Sequence, residues 1–150
     1  MTNPREPSVH ASAVKVGDGA VLIRGPSGAG KSRLAFDLIL AGRAGQIPPS
    51  ILVGDDRVSL DTKRGELLVR PMPELAGMIE IRGLGIRRCD FVDEARIILV
   101  ADLSAPDGER LPPTGALQTA ICGIKLPRIP VAAGHNPLPL IVAAMTTTPG

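Results

Sequence analysis

Aromatic side chains are almost missing from this chain: it has Phe36 and Phe91, and no Trp or Tyr. A core must therefore be built from Leu, Ile, Val and Ala, and base stacking on aromatic platforms is excluded as a route to nucleic acid. A charge excess is also missing. The 17 basic and 15 acidic residues leave +2, too little to call for a nucleic-acid partner. No apolar run reaches the ~20 residues of a membrane helix. The opening MTNPREPSVH has no apolar segment like that of a signal peptide. A cytoplasmic protein is expected, with neither nucleic acid nor membrane as partner. Cys89 and Cys122 are the only cysteines. They form no close-spaced metal pair and are expected as free thiols.

The 150 residues are enough for one domain with its own core. Residues 1–8 read as a disordered lead and 9–150 as the domain. HASAVKV and AVLIRG, separated by GDG, form a candidate hairpin. KSRLAFDLILAG, 31–42, has the apolar spacing of a helix, with Gly42 placed to end it. ILVGDDRVSL starts as a buried strand, and 57–70 fit a second hairpin turning at TKRG. ARIILVADL, 95–103, is the strongest strand signal. ICGIKLPRIPVA reads as extended, and NPLPLIVAAM as a terminal helix starting near Pro137. That helix fits the core, or a subunit or partner surface. The pattern is α/β with an unusual share of strand.

GPSGAGKS, 25–32, matches G-x-x-x-x-G-K-S/T between an apolar strand and a helix, as a phosphate-binding loop requires. Gly25, Pro26, Ser27, Gly28, Ala29 and Gly30 would wrap backbone N–H groups around phosphate oxygens, helped by the helix N-terminus. Lys31 would neutralise the outer phosphates, and the Ser32 hydroxyl would bind Mg²⁺. Phosphoryl transfer also needs a carboxylate for the acceptor's proton. Asp55 and Asp56 end the run ILVGDD, at the carboxyl end of a strand, where α/β proteins bind ligands. In IEIRGLGI, 79–86, an extended strand would place Glu80 and Arg82 on one face, before Gly83 and Gly85.

GPSGAGKS, LVGDDRV and EIRGLGI, in this order, resemble the catalytic domain of the bacterial HPr kinase/phosphorylase family. The likeness extends to VHASAV, ERL and PVAAGHN. It is to a short form consisting of the catalytic domain only. The resemblance implies a P-loop fold of the phosphoenolpyruvate carboxykinase type, with a strand-rich mixed sheet and few helices. It also implies a hexamer that uses ATP and Mg²⁺ to phosphorylate a serine of HPr, or of its nitrogen-branch relative. It gives Asp56 the serine proton, and Asp55 a supporting role to Asp56 or the metal. Ser32 and Glu80 would hold Mg²⁺. His10 would orient the acidic pair or the incoming phosphate, and Arg82 and Arg110 would stabilise the moving phosphoryl group.

Two departures stand out. Arg33 follows Ser32 where the family often has an acidic residue. PVAAGHN carries Ala132, Ala133 and His135 where the family is basic, so kinase activity is expected to persist and phosphorylase activity to be weak or absent. The loop motif alone also fits a small-molecule kinase, or a nucleotide-dependent interaction module with little turnover.

Overall fold

The computed structural model describes residues 8–150. Its strands are β1 (Ser8–Val9), β2 (Ser12–Val16), β3 (Gly19–Arg24), β4 (Ser50–Gly54), β5 (Val58–Lys63), β6 (Glu66–Pro71), β7 (Met78–Ile81), β8 (Gly85–Arg88), β9 (Ala95–Leu103), β10 (Gln118–Ile121) and β11 (Ile124–Val131). Two α-helices, α1 (Lys31–Arg43) and α2 (Leu138–Thr146), complete the frame with two short 3-10 turns. Of the expected lead, residues 1–7 lie outside the described residues, while Ser8 pairs with Ser59.

Nine strands form one mixed sheet in the order β1-β5-β6-β9-β3-β2-β4, with β11 joined to β9 and β10 to β11. β9 is the axis. It runs parallel to β3 and, over its second half, to β11, while Ala95 and Arg96 pair antiparallel with β6. Such a strand is buried on both sides, which accounts for its unbroken apolar run.

Alternation along the strands separates two cores. Val21 and Ile23 of β3 join Leu34, Leu38 and Ile39 of α1, and Ile141 of α2, on one face. Ala20 and Leu22 point the other way, into a second core with Ala11, Ala13, Val58, Leu60, Leu67 and Val69. That second core is built from strand and loop residues alone. Small alanines let the β5–β6 hairpin fold close over it. No Trp or Tyr is needed, as the composition requires.

Three sequence expectations change. Gly42 lies inside α1, which runs on to Arg43. A Cβ there would sit 2.6 Å from Ser50 Oγ, so this glycine serves close helix–strand packing. The terminal helix is a surface helix rather than a core one: only Ile141 is fully buried, and Leu140 is exposed. Finally, β7 ends at Ile81, so Arg82 does not share a strand with Glu80. It sits in a turn closed by Leu84 N–H to the Ile81 carbonyl, 2.9 Å. Among the described residues, no helix is long and apolar enough to cross a membrane.

Candidate active site

β3 delivers the chain into the glycine-rich loop, and α1 leaves it. Gly30, the residue before α1, has φ +100, a conformation open to glycine and costly for other residues. The Ala29 N–H bonds the Pro26 carbonyl at 3.0 Å, which closes the loop. Lys31 Nζ folds back over it, donating to the carbonyls of Gly25 at 2.8 Å and Pro26 at 3.1 Å. The loop borders a cleft of about 970 Å³.

Asp55, immediately past β4, is 3% exposed and lies behind the cleft lining, bonded to residues that form it. It accepts the Ser12 hydroxyl at 2.6 Å, the Ser32 hydroxyl at 2.8 Å to each oxygen, and the Glu80 backbone N–H at 3.0 Å. One carboxylate thus ties together β2, the start of α1, and β7. Burial of a carboxylate demands such partners. All three donors are neutral, so no cation among the described residues is bonded to it.

Asp56 is exposed and lines the cleft. Its φ is +69, and the Arg57 N–H bonds the Asp55 carbonyl at 2.7 Å. This is the rarer, positive-φ form of the γ-turn. A non-glycine residue held there costs roughly 1–3 kcal/mol, and such residues concentrate at functional sites. Ser12 Oγ also accepts the Asp56 N–H at 3.4 Å. Glu80 and Arg82 both line the cleft although they sit on different parts of the hairpin. The β7 strand end and the turn after it bring them together.

Not every expected residue reaches the cleft. His10 is exposed and meets Arg57 Nη2 at 2.7 Å through Nε2, instead of touching Asp55 or Asp56. Its link to the acidic pair is indirect, through Arg57, the neighbour of Asp56. Arg110 is exposed in the loop after β9 and does not line the cleft. In the PVAAGHN loop, Gly134, His135 and Asn136 form a cleft wall, while Ala132 and Ala133 stand outside it. Arg33 and Asp37 border the cleft from α1.

Sequence reasoning missed Ser12 and a cluster beside the loop. Arg24, directly before Gly25, makes two bonds to Asp102, at 2.7 and 2.8 Å. Arg128 Nε donates to the same carboxylate at 2.5 Å, and its terminal nitrogens reach Asp107 at 2.7 and 3.0 Å and the Ala116 carbonyl at 2.8 Å. Burial alone would raise the Asp102 carboxyl. Hydrogen bonds and charge from Arg24 and Arg128 outweigh it and hold the group below the usual carboxylate range. The only signal in the sequence was a lone acid in an apolar strand. Cys89 and Cys122 are both free, and burial pushes the Cys89 thiol up.

Ser32 and Glu80 line the cleft beside the loop, and Asp55 stands behind them, bonded to the Ser32 hydroxyl and the Glu80 backbone. Hard oxygen ligands, few in number and next to a phosphate loop, fit Mg²⁺, which takes one or two carboxylates together with phosphate oxygens and water.

A family model described as "HPr Serine kinase C-terminal domain" matches residues 4–148. The HPr kinase/phosphorylase of Azoarcus sp. strain BH72 is 38% identical over 156 residues, covering 94% of this chain and 47% of that protein. That of Mycoplasma mycoides is 31% identical over 152 residues, covering 91% and 46%. The chain spans about half the length of the curated relatives it matches. Among solved structures, the Hpr(Ser) kinase/phosphatase from Coxiella burnetii superposes with a TM-score of 0.74 at 28% identity, over 92% of this chain and 93% of that one.

Proposed function

Because this chain belongs to the HPr serine kinase C-terminal domain family, we propose that it transfers the γ-phosphoryl group of ATP to a serine of an HPr-like phosphocarrier. The observation that carries this reading is Asp55, which ties the loop serine, Ser32, to the backbone of Glu80 and stands directly before the strained, cleft-facing Asp56.

The loop backbone and Lys31 bind and orient the phosphates. Ser32 and Glu80 would hold Mg²⁺, with Asp55 behind them, and the ion would supply neutralisation of charge on the phosphate oxygens. Asp56 accepts the proton of the attacking serine hydroxyl. A positioned base of this kind contributes roughly 10²–10⁴-fold. Arg82, at the cleft edge, meets negative charge on the moving phosphoryl group. His10 keeps the Asp56 turn in place through Arg57. Arg110 has no part in this scheme, since it does not border the cleft. Assembly into a hexamer belongs to the same proposal.

The reverse reaction, attack of inorganic phosphate on phosphoserine, needs cations to hold that phosphate. The PVAAGHN loop offers the cleft His135 alone. Phosphorylase activity is therefore weak or absent, and robust pyrophosphate release from phosphorylated HPr would refute this part.

The test is direct. Purified protein, ATP, Mg²⁺ and HPr are incubated, and HPr is weighed by intact mass spectrometry. A gain of one phosphate, mapped to serine and absent with Lys31→Ala, is expected. No gain while ATP still binds would reject the protein-kinase reading.

A further inference from the structure

The β7–β8 hairpin pairs only with itself, as a separate two-stranded sheet. Its register sets Glu80 directly opposite Ile86 and Met78 opposite Arg88. Directly paired residues share a face, so Ile86 and Arg88 lie on the Glu80 side. The other face carries Ile79 and Ile81 into the α1 core. Ile86 nevertheless remains 63% exposed, and Leu84 in the connecting turn 69%. Arg82 in the turn and Arg88 on the same face are exposed around them, and neither has an ion-pair partner among the described residues. An apolar pair ringed by unpaired guanidiniums therefore continues the cleft wall outward from Glu80. A free metabolite would leave this strip bare. A folded protein that brings a serine to the phosphates beside Glu80 must cover Ile86.

We propose that the β7–β8 hairpin is the docking strip for the protein acceptor, which meets it with an apolar patch bordered by carboxylates beside the reacting serine. The inference rests on the phosphotransferase reading above and adds the surface that selects the substrate. Apolar anchors ringed by polar groups carry most of the energy of protein recognition. The arginines supply steering and exclude basic partners. The affinity for the acceptor accordingly falls as salt rises, while ATP affinity changes less.

The test is steady-state phosphorylation of HPr, followed by intact mass, for wild type, Leu84→Ser, Ile86→Ser and Arg88→Glu. Circular dichroism checks folding and light scattering checks size. The expected result is a rise of about tenfold or more in KM for HPr with Leu84→Ser and Ile86→Ser, and a loss of salt dependence with Arg88→Glu. Both kcat at saturating HPr and KM for ATP should hold within about twofold. Unchanged KM for HPr in all three variants overturns the docking strip and leaves the kinase reading standing. A change in assembly size makes the strip a subunit interface and overturns it equally. If wild type transfers nothing to HPr, the kinase reading fails, and the strip falls with it.

Discussion

Two carboxylates stand near the carboxyl ends of strands around the phosphate loop, and they are used in opposite ways. Asp102 in β9 is gripped by the guanidiniums of Arg24 and Arg128. Asp55, just past β4, is held by two hydroxyls and one backbone N–H. Both are oriented, but of the two only Asp102 is paired with cations among the described residues. A carboxylate fixed by neutral donors keeps its attraction for a cation arriving with a nucleotide. One fixed by two arginines is a structural knot, here joining β3, β9 and β11 beneath the loop. The residue nearest the phosphate strand is therefore not the one best suited to chemistry.

The comparison can be broken at either end. Asp56→Asn has the largest expected effect. It leaves ATP binding intact and lowers kcat for HPr phosphorylation by roughly 10²–10⁴-fold, measured by single-turnover transfer. At the other end, Asp102→Asn leaves two partly buried arginines facing a neutral amide. It should destabilise the fold by about 3 kcal/mol in urea titration, with the chemical step nearly unchanged per folded molecule. An equal loss of kcat in the two variants would erase the distinction drawn here.

Acid titration sharpens the contrast. The Asp102 carboxyl is held below its ordinary value, so the unfolded chain binds its proton first. Its stabilisation is complete above the unfolded value of about 3.9 and is lost as pH falls through the lower folded value. The gap in melting temperature between wild type and Asp102→Asn should be full at neutral pH and should narrow on the acid side.

Smaller effects come from the supports. Ser12→Ala removes the shortest bond to Asp55 and the acceptor for the Asp56 N–H. It should cost roughly 1–3 kcal/mol of stability and slow transfer, with Ser12→Thr restoring part of both. Arg33→Ala sets the floor. Its contact with Asp37 is 3.8 Å long, and Arg33 is 86% exposed. An i,i+4 pair of that kind contributes at most about 0.5 kcal/mol, so its melting temperature should barely move.

What the sequence disclosed follows the range of the interactions involved. GPSGAGKS is a local motif, and its strand, loop and helix stand where the letters place them. The hairpins at 12–24 and 58–71 are likewise set by alternation and nearby turns. The Asp102 cluster was hidden because Arg24 and Asp102 are 78 residues apart, and only the parallel pairing of β3 with β9 joins them. Ser12 was hidden for the same reason, 43 residues from Asp55. Alternation extends naturally through Arg82 and points to a strand there. The glycines at 83 and 85, both at positive φ, end that alternation one residue early. α2 was ambiguous because a helix this short and apolar gives no polar face to orient it, and the structure leaves most of it at the surface.

The most direct test of the account is phosphoserine formed on HPr per folded molecule, by intact mass, with Asp55→Asn and Asp102→Asn measured side by side. Near-complete loss of transfer is expected with Asp55→Asn at retained fold, and near wild-type transfer with Asp102→Asn at reduced stability. Transfer that survives Asp55→Asn and vanishes with a folded Asp102→Asn would contradict it.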